Sequence, residues 1–428
     1  MSPTRRRWIG CFTVAFSTVL VLAIWKISKS PLPVAIHLGP PLTSTKVSQA
    51  WGKLLGFLLA PDGSLWFWGE PNAAWPEAAE IPQRAGTTNL WLDFAVGMDG
   101  QVFAGIRPDR SLWTWGQSRW LPDRVATNGY QGNADSPIRL AVETGWKSVT
   151  SHDGCFYALK TDGSLWAWGD NVYGQLGIGS RENATRPKQV GSSTNWIGVW
   201  AGAYDGFALQ EDGTLWTWGL RNLARSADRT RPAKMGDEAD WVDFVAGSDC
   251  HFGLKRDGSL WGIGRDGPLY YALPPNSGTN LTRCLENQEP GTMAVSTIFL
   301  IRRAPDKSVW LAGGGPYFVF GNKSLFAHRG KVLPPAKAVQ VPGISSCAQV
   351  WAGYGNALVL TENGTVLMWG RHGGKAQLTR IQRWELAFGE FLRGHGFAST
   401  IGKRWLDKSD IVTTPTPLFN LMGDPFRE

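Results

Sequence analysis

The sequence is poor in the residues that carry covalent and metal chemistry. Six His are scattered over 428 residues, and none of the five Cys stands in a CxxC pair, so neither a zinc site nor a thioredoxin-type dithiol is expected. There is no HExxH, no GxSxG and no phosphate loop; the run Gly313-Gly314-Gly315-Pro316 lacks the Lys and Ser/Thr that such a loop needs. Charged residues make up only 18% of the chain. The formal net charge of +8 does not mark a nucleic-acid surface. Five of the 43 basic residues (Arg5, Arg6, Arg7, Lys26, Lys29) stand in the first 30 positions with no acid, leaving 38 basic against 35 acidic residues elsewhere. These absences point to a protein that is not an enzyme, has no cofactor or metal, and has no nucleic-acid partner.

What is abundant is Gly and Trp, 52 and 24 residues, and both belong to one recurring unit. Its clearest copy runs from Ala158 to Gly191: an apolar run, Asp162-Gly163, then Ser164-Leu165-Trp166-Ala167-Trp168-Gly169. Asp-Gly between apolar runs is a hairpin signal, because the turn needs a positive φ that Gly adopts freely. Side chains alternate along a strand, so Leu-Trp-x-Trp is apolar on both faces and must be covered on both sides. Stacked hairpins can do this where one cannot. Copies begin at Asp62, Asp109, Asp162 and Asp212, and weaker ones at Asp257, Asp306 and Asn363, with spacings of 47, 53, 50, 45, 49 and 57 residues. Short strands at this period predict an all-β fold, a β-propeller of four-stranded blades. Two inner strands precede each Asp, as in Val199–Gly202 and Phe207–Leu209. Pro82, Pro137, Pro187, Pro232 and Pro335 lead outermost strands, where a missing N–H costs least. A degenerate last copy over Trp384–Leu418 leaves the count at seven or eight.

The stretch Trp168-Gly-Asp-Asn-Val-Tyr-Gly-Gln-Leu-Gly-Ile-Gly179, with Val199-Trp-Ala-Gly202 and Phe207-Ala-Leu209, resembles the repeat of the regulator of chromosome condensation family. The resemblance spans roughly residues 46–405 and is strongest in the third unit. The Leu-Trp-x-Trp-Gly version is more like the family's bacterial copies. It implies seven blades rather than eight, and says little about activity, because the repeat carries the fold. The family includes a nucleotide-exchange factor for a small nuclear GTPase and a secreted β-lactamase inhibitor. What its members share is protein binding through loops on one face.

Before the repeats, Trp8–Trp25 is an uncharged, mostly apolar run behind the Arg cluster, near the lower length limit for a membrane-spanning helix. It lacks a small-x-small cleavage site. Residues 1–29 are therefore read as a cytoplasmic Arg cluster and an uncleaved signal anchor, which places the propeller outside the cytoplasm. Residues 30–45 form a Pro-rich linker, 46–405 the propeller, and 406–428 a tail that could complete the last blade. Cys155, Cys250, Cys284 and Cys347 are read as buried small apolar side chains.

Candidate binding residues lie in the loops after the first strands: Asp99, Asp153, Asp205 and Asp249 in successive units, with Tyr204, His251, Tyr354 and Asn356 nearby. Gathered at one mouth of a central channel, they would form an acidic, aromatic face for a basic or amphipathic partner. They could equally be turn residues that bond their own backbone. Two irregular stretches, 266–293 and 313–342, are either binding loops or decayed repeats. The leading expectation is a membrane-tethered interaction module with an unknown protein partner. A regulator of another enzyme, like an exchange factor or an inhibitor, is the second. A propeller hydrolase or lyase acting on surface polymers is the third.

Overall fold

The computed structural model describes residues 46–49, 55–60, 62–69, 83–85, 90–97, 102–116, 137–152, 154–220, 226–247, 250–264, 282–285, 293–295, 299–313, 338–341, 343–352, 356–362, 365–371 and 411–417. The proposed anchor, the linker and Cys11 lie outside them. Among the described residues no helix is long and apolar enough to cross a membrane.

The described strands pair into seven four-stranded antiparallel sheets. The first holds β1 Lys46–Gln49, β2 Leu55–Leu59, β3 Leu65–Gly69 and β4 Gln83–Arg84, and the second β5 Asp93–Gly97, β6 Val102–Ile106, β7 Leu112–Gly116 and β8 Ile138–Arg139. The third comprises β9 Trp146–His152, β10 Cys155–Lys160, β11 Leu165–Gly169 and β12 Ala184–Gln189; the fourth β13 Trp196–Ala201, β14 Asp205–Gln210, β15 Leu215–Gly219 and β16 Ala233–Lys234. The fifth is β17 Trp241–Ala246, β18 Cys250–Lys255, β19 Leu260–Gly264 and β20 Thr282–Leu285, and the sixth β21 Met293–Val295, β22 Phe299–Arg303, β23 Val309–Gly313 and β24 Val339–Gln340. The seventh joins β25 Cys347–Ala352, β26 Asn356–Thr361 and β27 Val366–Arg371 to β28 Ile411–Pro417. The stretch laid out as part of an eighth copy, Thr414–Leu418, thus overlaps a strand that pairs with β27 as the fourth strand of the seventh sheet. First strands touch from each sheet to the next, and β25 touches β1.

Each Leu-Trp-x-Trp strand is covered on both faces. In β11, Leu165 and Ala167 are fully buried, Trp168 is buried and Trp166 half-buried. The Asp-Gly turn is closed by Gly163 N donating to Lys160 O at 3.0 Å, with Gly163 at φ 79. The repeat Asp then holds the next strand. Asp162 Oδ1 accepts from Ser164 N at 2.9 Å and Ser164 Oγ at 2.6 Å, and Ser164 Oγ accepts from Trp166 Nε1 at 2.9 Å. The same Asp–Ser/Thr–Trp chain recurs from Asp62, Asp109, Asp212, Asp257 and Asp306.

A cation at the end of the second strand stacks on the same indoles. Lys160 Nζ lies 4.3 Å from the Trp166 ring and 4.8 Å from that of Trp146, and Lys255 lies 4.8 Å from Trp261 and 4.9 Å from Trp241. Arg107 does the same between Trp113 and Trp91, at 3.9 and 5.6 Å. Each such contact contributes about 0.5–1 kcal/mol at a partly exposed site.

The turns also join the sheets. Trp91, Trp146, Trp196, Trp241 and Cys347 donate their backbone N–H to the turn carbonyls of Gly63, Arg110, Gly163, Gly213 and Lys307 in the preceding sheet, at 2.8–3.1 Å. Arg110 and Lys307 replace the turn Gly and adopt φ 60 and 64, conformations that disfavour an L side chain by about 1–2 kcal/mol. Cys155, Cys250 and Cys347 are buried, Cys284 is half-buried, and none of the four forms a disulfide among the described residues.

Acid should unfold this scaffold in two stages. Burial pushes the His152 imidazole from 6.5 down to about 4, so between those values the unfolded chain takes up a proton that the folded one refuses. Stability is complete above pH 6.5 and falls as pH drops toward 4. Below it, the repeat carboxylates protonate. Asp109, Asp162, Asp212, Asp257 and Asp306 are held below 3.8 first by the Ser/Thr hydroxyl and then by its amide. In Asp62, Ser64 outweighs an upward push from burial. Their stabilisation is present above pH 3.8 and lost as pH falls through the lower folded values. Thermal midpoints measured against pH should show both limbs, and His152→Leu should flatten only the upper one. A His152→Leu profile identical to that of the unchanged chain would refute the assignment.

Candidate interaction surface

Among the described residues the hairpin ends of six sheets carry the repeat's own Asp–Ser/Thr–Trp bonding, so the opposite end is where other side chains can be presented. There, in the third and fourth sheets, the connection from β11 to β12 is a rigid loop. Asn171 is fully buried; its Nδ2 donates to Ser180 O at 2.9 Å and Glu182 O at 2.8 Å, and its Oδ1 accepts from Leu176 N at 2.9 Å. Gln175 is also buried. Its Oε1 accepts from Tyr173 N at 2.8 Å, and its Nε2 donates to Asp170 Oδ2 at 3.2 Å. The Gln175 carbonyl accepts from the Tyr157 hydroxyl and, at 2.6 Å, from Trp218 Nε1 of the next sheet. Burial raises the Tyr157 phenol well above its usual value, so it stays a donor. Gly174, Gly177 and Gly179 all take positive φ within this loop.

This framework pushes apolar side chains into solvent. Val172 and Tyr173 are 56% and 39% exposed, and Tyr204 and Leu220 of the fourth sheet are 38% and 37% exposed. The Tyr173 and Tyr204 rings meet edge to face, centroids 5.2 Å apart at 75°. Leu220 N donates to Tyr204 O at 3.0 Å, and Arg229 Nη1 donates to Leu220 O at 3.0 Å. The two Tyr rings thus meet across the sheet boundary, with exposed Val172 next to one in sequence and exposed Leu220 bonded through its backbone to the other. Arg181, Arg229 and Arg231 are exposed around this patch, with Glu182 and Asp228 as the acids.

Of the residues singled out in the sequence, Tyr204 belongs to this patch. Asp205 and His251 do not stand in exposed loops. Gly202 N donates to Asp205 O at 2.8 Å and closes a tight turn, so Asp205 already opens β14, paired with Gly219 and only 1% exposed. His251 is the second residue of β18, 0% exposed, with its ring 4.5 Å from that of Phe207 and 6.2 Å from that of Phe244. Neither can anchor a partner directly. Asn356 opens β26, while Asp99, Asp153, Asp249 and Tyr354 lie outside the described residues. Of the four Asp expected to make this end acidic, only Asp205 is among the described residues, and it is buried. The sequence signal for Val172 and Tyr173 is two successive apolar side chains inside a loop of polar residues and Gly.

The sequence pattern of the Regulator of chromosome condensation (RCC1) repeat matches residues 162–209, from the third Asp-Gly turn to β14. Among solved structures, the chain is similar to yeast RCC1 (Prp20) bound to Kap60, with 14% identity, TM-score 0.63, and 91% of this chain and 89% of that one covered. It is similar to Prp20p of Saccharomyces cerevisiae in a second structure, with 15% identity, TM-score 0.59, and 90% and 87% covered. Human WBSCR16 matches with 15% identity, TM-score 0.58, and 79% and 84% covered. At these identities the likeness establishes the fold. The chain carries the regulator of chromosome condensation repeat and folds as an all-β propeller of four-stranded blades.

Proposed function

We propose that this chain is a closed seven-bladed propeller, tethered to a membrane through Trp8–Trp25 and facing away from the cytoplasm. It binds a protein partner through the loops at one end and performs no catalysis of its own. The observation that carries this reading is the Val172–Tyr173–Tyr204–Leu220 patch. Tyr and apolar side chains held in solvent by a buried hydrogen-bond network are what a binding surface requires and a solitary fold does not. Closure at seven is supported by the contact between β25 and β1 and by β28 completing the seventh sheet. The tether and its orientation rest on the apolar run and the Arg cluster before it.

The test is topology. With reporters fused after Glu428, one active only in the cytoplasm and one only outside it, the outer reporter should respond and the inner one stay silent. A cytoplasmic signal would overturn the orientation and bring forward a second reading, a regulator of a cytosolic enzyme. That reading is supported by the likeness to Prp20p, a protein described with binding properties toward Gsp1p and histones.

A further inference from the structure

We infer that the patch between the third and fourth sheets is the seat of an acidic peptide segment that inserts an apolar side chain. The inference rests on the protein-binding reading and names the chemistry of its partner. The floor is apolar and aromatic, while the rim is basic. Arg229 is tied by its guanidinium to the carbonyl of Leu220, so its charge is fixed beside the floor rather than free in solvent. Arg231 lies against Gly179, where an added Cβ would stand 2.7 Å from its Cζ, and its side chain is 65% exposed.

Among the described exposed residues of the rim, Arg181, Arg229 and Arg231 stand against Glu182 and Asp228, an excess of one positive charge. The Asp228 carboxylate is drawn into its own turn, accepting from Thr230 N at 2.8 Å and Thr230 Oγ1 at 2.6 Å, and it meets Arg231 Nε at 3.4 Å. Arg229 and Arg231, in the connection from β15 to β16, are both exposed. A basic partner would meet like charge here. A nucleic acid would leave Val172 and Leu220 uncovered. An apolar side chain flanked by Asp or Glu satisfies both the floor and the rim, since carboxylates pair with guanidinium groups and the apolar residue displaces water from the Tyr pair.

The experiment is a selection from a random peptide library displayed on phage, against the full chain in detergent. One selected peptide is then titrated by fluorescence anisotropy. The expected consensus is an aromatic or aliphatic residue bounded by acids. Binding should weaken about tenfold or more with Tyr204→Ser or Tyr173→Ser and hold with Ile197→Ser, at the other end of β13. On the unchanged protein, replacing the peptide's Glu by Lys should abolish binding, a readout that needs no variant to fold. Basic consensus peptides, or acidic ones indifferent to Tyr173→Ser and Tyr204→Ser, would overturn this seat and leave the interaction module standing. Failure to enrich any peptide, with a labelled single-stranded oligonucleotide binding or not, would overturn both.

Discussion

Trp218→Ala should destabilise the propeller by about 3–5 kcal/mol, the range for removing a fully packed large aromatic side chain. Trp218 is only 2% exposed and spans two sheets. Its Nε1 donates to the Gln175 carbonyl at 2.6 Å, and its ring meets Tyr157 edge to face at 5.8 Å. Two glycines make room for it. A Cβ on Gly206 would lie 2.2 Å from the indole Cε2, and one on Gly177 would lie 2.8 Å from Nε1. Gly206→Ala alone should therefore cost about 1–3 kcal/mol through overpacking. In the Trp218→Ala background that cost should vanish, because the space is empty. Denaturant midpoints of the two single variants and the double variant measure the coupling. Additive losses would show that Gly206 is not there to admit the indole. The loss should also reach the binding patch, since Gln175 fixes the loop that carries Val172 and Tyr173.

Gly163→Ala is the second large loss expected, about 2–5 kcal/mol. Two costs combine: about 1–2 kcal/mol for an L residue in the left-handed region and about 1–3 kcal/mol for a rigid clash. At φ 79, a Cβ would lie 1.9 Å from the Thr194 carbonyl oxygen, backbone that cannot rotate away. The hydrogen bond from Trp196 N to Gly163 O, which joins the third sheet to the fourth, would be strained with it. Gly191 separates the two costs. It has φ 65 and nothing within 4 Å of a built Cβ, so Gly191→Ala should lose only the first. Thermal midpoints compare the two directly. Equal shifts would mean that the turn Gly serves backbone freedom alone and that the close approach of the sheets is incidental.

Much of this architecture is legible in the residues themselves, for a physical reason. The blade is made by local rules: Asp and Gly set a turn, Ser or Thr two residues after the Asp bonds its carboxylate, and alternation puts Leu, Trp and the intervening residue on opposite faces. A pattern written over fewer than ten residues and repeated at intervals of 45–57 residues needs no tertiary knowledge to be read. Pro82, Pro137 and Pro232 stand immediately before β4, β8 and β16, because an outermost strand has no partner for the missing donor.

The candidate surface is legible in the sequence only in part. Asp205 and Tyr204 are neighbours in sequence, but the turn Gly202–Asp205 closes so tightly that one is buried in β14 while the other faces solvent. A spacing argument treats both as loop residues. Whether a side chain after a first strand is paired or free depends on the number of residues in the turn, and the pairing of the strands decides that. The meeting of Tyr173 with Tyr204 lies further beyond sequence. It joins two sheets whose relative placement is set by Trp218 wedged against Gly177 and by the Gly163–Trp196 bond. The repeat, the turn chemistry and the all-β class follow from residue order, since these are short-range. Which side chains the packed sheets cover, and which they leave together in water, follows from how the sheets pack, since burial is a property of neighbours that the chain order does not contain.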